Sequence, residues 1–139
     1  MLADSSAWIW SRRKAYPELR LWFDEQLEAG KIVGCDLVRL ELLYGTRGGE
    51  AHDQRKRELD ALDTCLITPA EWRRAVEVQG KIAHLGPDRH KEVKIADLLV
   101  AAAAESAGVE VLHYDNDFEV IAMVTGQPLR WLAPRGSLR

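Results

Sequence analysis

Met1-Leu2-Ala3-Asp4 and Val109-Glu110-Val111-Leu112-His113-Tyr114-Asp115 are short apolar runs that each end on an aspartate, and Asn116-Asp117-Phe118 follows the second at once. Read as neighbouring parallel strands, they bring their carboxylates to the carboxyl edge of one sheet. That edge is where open α/β folds place their ligands. Gathered carboxylates repel one another and cost stability unless a cation neutralises them. A divalent metal site resolves the conflict.

The intervening chain supplies helices for such a sheet. Tyr16-Pro17-Glu18 opens a helix with proline in its first turn, where the missing N–H does no harm. Leu19, Trp22, Phe23 and Leu27 continue it at helical spacing to Gly30. Lys31 to Cys35 reads as a strand, Asp36 as the cap of a helix from Leu37 to Tyr44, and Glu50 to Leu62 as a charged helix. After a β-like run from Thr64 to Ile67, Thr68-Pro69-Ala70-Glu71 combines a capping box with a first-turn proline and starts a helix reaching Leu85. A polar loop, Asp88 to Glu92, leads to an alanine-rich helix from Val93 to Ala107 that Gly108 closes. A short helix from Phe118 to Val124 and a last strand from Leu129 to Leu132 complete the order. Strands separated by helices predict an α/β fold. Residues 1–139 form one domain, with a parallel sheet of four to five short strands and helices on both faces.

Composition excludes several classes. An apolar fraction of 47% with 29% charged residues is that of a globular protein, not a disordered one. The longest apolar stretch, Ile95 to Ala104, contains Asp97 and falls short of the roughly 20 residues a membrane span requires. Met1-Leu2-Ala3-Asp4 lacks the basic and apolar regions of a secretory signal, so a cytoplasmic location is expected. Cys35 and Cys65 have no partner spacing and read as buried, reduced thiols. A net charge of −3 argues on its face against a nucleic-acid partner. Setting aside Asp4, Glu41, Asp97, Asp115 and Asp117 as a metal site leaves 17 acidic side chains against 19 basic ones, so a polyanionic substrate stays open.

Most acids here, Glu50, Asp53, Glu58, Asp60 and Asp63 among them, read as solvated helix faces. Glu41 differs. On the wheel of its helix it is flanked by Leu37, Leu40 and Tyr44, with Arg39 on the opposite, polar side, and a carboxylate on an apolar face is costly unless paired or metal-bound. Its ordinary alternative is a place at the rim or an arginine partner. Asp97 lies in line with Val100, Ala101 and Ala104; alternatively it serves the helix dipole or pairs with Lys94. Asp4 and Asp115 can equally be caps, and Asp117 a first-turn acid. The joint arrangement, with two acids at strand ends, one at a helix start and one on a helix's apolar side, points to one crevice.

Those residues resemble a family. Asp4-Ser5-Ser6 resembles the D-x-S motif of PIN-domain ribonucleases, and Glu41-Leu42-Leu43-Tyr44-Gly45 their E-L-x-x-G helix. Asp97 to Ala104 resembles their D-x-x-[IL]-A-A helix, and His113 to Phe118 their T-x-D-x-D-F motif, with histidine in place of threonine. The likeness spans essentially the whole chain and is strongest to VapC-type toxins of bacterial toxin–antitoxin pairs. It implies an acidic pocket that binds Mg²⁺ or Mn²⁺ and hydrolyses RNA phosphodiesters. Asp4, Glu41, Asp97 and Asp115 match the four acidic positions, Asp117 is a further metal ligand candidate, and Ser6 supports Asp4. Hard oxygen donors suit those ions better than zinc. The resemblance also implies a cognate VapB-type antitoxin. Five tryptophans and the apolar Ala7-Trp8-Ile9-Trp10 further suggest a homodimer, and Trp8 and Trp10 either stack on bases or belong to the core or to a partner contact. Arg12-Arg13-Lys14 and the group Arg89, Lys91 and Lys94 are phosphate-contact candidates, or plain solvated loops.

Three other readings compete. A haloacid-dehalogenase-type phosphatase needs a second aspartate two positions after Asp4, where this chain has Ser6. A receiver domain needs an acceptor aspartate after its third strand, where Thr68-Pro69 stands. A PIN-like module that only binds RNA or protein fits the fold, but such modules usually lack part of the acidic set kept here.

Overall fold

In the computed structural model, which describes residues 1–139, the two runs are adjacent parallel strands. Strand β1 (Leu2–Ala3) pairs with β2 (Val111–His113), Leu2 opposite Val111 and Ala3 opposite Leu112. Strand β3 (Leu129–Trp131) lies on the far side of β2, giving the order β1-β2-β3, all parallel. Successive residues of β1 and β2 point to opposite faces, and every one is buried, so both faces of the sheet are covered.

The sheet has three strands, not four to five. The runs at Lys31–Cys35 and Thr64–Ile67 contribute single parallel bridges, Leu2 with Val33 and Gly34 with Thr64, that extend it past β1. The reason is length. Asp4 already caps helix α1 (Ser5–Ser11), so β1 has two residues and no room for a longer ladder.

The other helices are α2 (Pro17–Glu28), α3 (Asp36–Tyr44), α4 (Gly49–Asp60), α5 (Pro69–Ala83), α6 (Ile95–Ala107) and α7 (Asp117–Thr125), with a single 3₁₀ turn at Arg89–Glu92. Thr68 and Glu71 form the expected capping box on α5. Helix α6 is the centre of the packing. Its residues Asp97 to Ala104 are all buried, and a helix apolar all round belongs inside a protein. Helix α5 packs against it, with Ala75, Val78 and Ile82 of α5 buried. Gly108 then takes φ +69°, a left-handed turn that glycine adopts without strain, and releases the chain into β2. Cys35 and Cys65 are free and buried, and burial pushes the Cys35 thiol up to about 11.

Helix α3 departs from its wheel. Leu40 and Tyr44, the apolar flank of Glu41, are exposed (66% and 93%), whereas Arg39, on the side taken as polar, is nearly enclosed. The guanidinium donates to the Leu59 and Leu62 carbonyls (3.2 and 3.1 Å) at the end of α4. It passes 3.6 Å from where a side chain on Gly34 would begin, so the bare glycine gives it room. Asp36 is the first residue of α3 and pairs with Arg39 instead of capping; Cys35 holds the cap position without a side-chain bond. Arg39→Leu should lower stability by about 2 kcal/mol, because hydrogen bonds from a charged donor to partly buried carbonyls are lost. A lower urea midpoint at unchanged slope would show this; an unmoved midpoint would mean the bonds carry no net stability.

Candidate metal centre

Asp4 sits between β1 and α1 in extended conformation. Its Oδ2 accepts from the Ser6 N–H (3.0 Å) and the Ser6 hydroxyl (2.6 Å), the expected cap. Its Oδ1 is buried and has no hydrogen-bond partner. The Ser6 hydroxyl in turn accepts from the Tyr114 N–H (2.9 Å), so one oxygen joins the carboxyl ends of β1 and β2.

At the end of β2 the Asp115 N–H donates to His113 Nδ1 (3.2 Å), and the Asp117 N–H donates to Asp115 Oδ1 (3.0 Å). His113 is buried between Phe118 and Trp131, and burial lowers its pKa, so it is neutral. With Nδ1 accepting, the proton resides on Nε2. The imidazole thus supplies the acceptor that a hydroxyl residue can supply there. It does not reach the carboxylates as a base.

Asp97 enters from the first turn of α6, 2% exposed. Asp97, Asp115 and Asp117 each present an oxygen within 4.8 Å of the others. The Lys94 ammonium stands among them, 2.5 Å from Asp115 Oδ2, 3.1 Å from Asp117 Oδ2 and 3.2 Å from Asp97 Oδ2. The last is an ion pair without hydrogen-bond alignment. The Lys94 N–H also donates to Asp117 Oδ2 (2.9 Å).

Burial, then the charge of Asp4, holds Asp97 far above the usual carboxylate range. Asp4 is also raised, by burial, against the bonds from Ser6. Burial pushes Asp117 up too, but the bonds it accepts from the Lys94 N–H and from Asp97 outweigh this and leave it low. Burial and the Asp4 charge raise Glu41.

Glu41 occupies an exposed place at the rim, on a cleft of about 400 Å³ that it shares with Ser5, Ile9, Leu40 and Tyr44. A second cleft on its other side carries two guanidiniums, Arg12 and Arg55. Arg55 lies in the charged helix α4, where nothing in the sequence separates it from solvated neighbours. Of the three basic residues set before Asp97, only Lys94 touches the acids. Arg89 and Lys91 pair with Glu92 and Asp88 on the 3₁₀ turn. Trp8 is core, edge-on to Phe23 at 4.8 Å, and Trp10 packs on Tyr114.

These residues fit a divalent ion. The donors are all oxygen; the buried Asp4 Oδ1 lacks any hydrogen bond, and Asp97 Oδ2 has only the unaligned Lys94 ammonium. Orphaned acceptors of that kind are costly unless an unseen cation completes them.

Residues 1–123 match the PIN domain family model, and the chain belongs to that family. It is 42% identical over 135 residues to ribonuclease VapC18 of Mycobacterium tuberculosis, covering 97% of this chain and 96% of that one. It is 36% identical over 127 residues to ribonuclease VapC51 of the same organism, covering 91% and 90%. Among solved structures it resembles a chain of VapBC2 from Rickettsia felis bound to a promoter DNA fragment, at TM-score 0.65 and 15% identity over 94% of this chain and 96% of that one. This last likeness is one of fold.

The raised Asp97 sets a pH dependence. Between about 4 and about 8 the folded protein keeps a proton that the unfolded chain releases, so this residue's contribution to stability falls as pH rises. Metal-free protein should lose melting temperature over that window relative to Asp97→Asn, and excess Mn²⁺ should cancel the difference. Parallel pH profiles for the two proteins would place the proton elsewhere.

Proposed function

We propose that this protein is a Mg²⁺- or Mn²⁺-dependent endoribonuclease, the toxin of a toxin–antitoxin pair, with residues 1–139 acting as one PIN domain. The observation that carries this reading is the cluster of Asp97, Asp115 and Asp117, whose oxygens lie within 4.8 Å of one another, beside a buried Asp4 whose charge raises Asp97 and whose Oδ1 has no hydrogen bond. Its support from relatives is that VapC18 and VapC51 are ribonucleases by name.

Asp4, Asp97, Asp115 and Asp117 would hold the cation. Bound there, a divalent ion supplies positive charge to a phosphodiester and lowers the pKa of water. Glu41, raised in pKa and at the open rim, is suited to take up a proton from the attacking water. Arg12 and Arg55 flank the neighbouring cleft and are suited to phosphates on either side of the cut. Arg89 and Lys91 lie further out and would meet only a longer RNA. An exposed loop of a structured RNA such as tRNA or rRNA fits a rim of this kind, because unpaired nucleotides can splay their backbone into the acids.

A VapB-type antitoxin would cover the apolar rim of Ile9, Leu40 and Tyr44 beside Glu41. A homodimer would use the exposed Trp72, Val76 and Ile95 of α5 and α6. No helix is long and apolar enough to cross a membrane, and a cytoplasmic site of action suits an RNA substrate.

Purified, partner-free protein should cut a hairpin RNA in Mn²⁺, with little cleavage of a matched perfect duplex. Asp4→Asn and Asp97→Asn should lose about a hundredfold or more of that activity while keeping the fold. Wild-type-like cleavage by both variants would sink the assignment, and RNA binding without cleavage by the wild type would favour a binding module. Expression alone should arrest growth, and co-expression of the adjacent antitoxin should restore it; harmless expression of the active enzyme would end the toxin reading.

A further inference from the structure

Lys94 is the one cation in contact with the acids, and its geometry sets it apart from a surface ion pair. Its ammonium lies within 3.2 Å of Oδ2 atoms on three separate aspartates, from α6, the end of β2 and the start of α7. A divalent ion ligated at about 2.1 Å would need the same oxygens. Two cations cannot share them, because they would be in steric contact and repel strongly at that distance.

The lysine is built to leave. Its backbone is pinned by the bond from its N–H to Asp117 Oδ2, whereas its side chain is 59% exposed. The stem can therefore turn into solvent without opening a cavity or moving α6. Arg89 and Lys91, the neighbouring cations, are held by Glu92 and Asp88 and cannot take its place without breaking those pairs.

We propose that Lys94 is an internal counter-ion that occupies the acidic pocket before metal binds, stabilises the metal-free fold, and must be displaced by the entering divalent ion. This rests on the metal-binding reading above. Its consequence is a built-in threshold. The protein folds and persists without metal, and loading requires an ion concentration high enough to expel the lysine.

The test measures Mn²⁺ binding by calorimetry, and melting temperature with and without Mn²⁺, on the full chain. Lys94→Met should bind Mn²⁺ tighter by about tenfold or more, since the competing charge is gone. The same variant should melt lower than wild type without metal and show a larger upward shift with Mn²⁺. Lys91→Met, which removes a charge that touches only Asp88, should match wild type in both measurements. If Lys94→Met does not fold, Lys94→Gln carries the same comparison. Equal Mn²⁺ affinity in wild type and the Lys94 variant overturns the inference while leaving the metal site standing. No Mn²⁺ binding by wild type or variant overturns both. Tightening of the same size in Lys91→Met also overturns it, by showing that general charge and not occupancy sets the affinity.

Discussion

Repulsion among carboxylates governs this molecule's site, and the Ser6 hydroxyl is what holds the two strand ends against it. By donating to Asp4 and accepting from the Tyr114 N–H, it ties the carboxyl end of β1 to that of β2. The acids then have no freedom to spread apart. Asp97 is brought to them by α6, which is too deeply packed to yield. The strain emerges instead as raised pKa values: burial and then the Asp4 charge raise Asp97 and Glu41, and burial, with a smaller push from Asp115, raises Asp4 itself. Such sites sacrifice stability for chemistry, and the surrounding core must supply it.

That core is contiguous and dominated by α6 with β1 and β2. The division of labour is clear in α6 itself. Its buried length packs against α5, and its first turn delivers Asp97 and is preceded by Lys94. One helix therefore sets both the interior of the protein and the charge balance of the pocket.

Much of this was legible in the chain. The apolar runs ending in Asp4 and Asp115, the capping box at Thr68 and the closing Gly108 rest on local rules, and local rules survive folding. Asp97, Asp115 and Asp117 meet because they fall at a strand end and at helix starts, where side chains are directed toward the sheet edge; Glu41, in the middle of α3, stays at the exposed rim. Two of the expected strands came down to single bridges, because ladder length depends on where the neighbouring chain turns, and Asp4 turns β1 after two residues. The wheel of α3 misled because it ranks faces by hydrophobicity. Arg39 is enclosed to close another helix's carbonyls, and Leu40 and Tyr44 stay outside. That Lys94 could pair with Asp97 follows from their three-residue spacing, but its contacts with Asp115 and Asp117 depend on a strand and helix distant in sequence. Arg55 gave no signal at all.

The pairing of Leu2 with Val111 has a consequence for synthesis. Asp4 and Glu41 precede β2 in the chain, but β1 has no partner beyond a single bridge until β2 emerges, and Asp115 and Asp117 arrive with it. The pocket cannot exist on a nascent chain that stops short of that strand. Chains truncated before it, whether by premature termination or by a stalled ribosome, carry acids but no site. The acidic cluster therefore comes into being only with the strand that leads into Asp115 and Asp117.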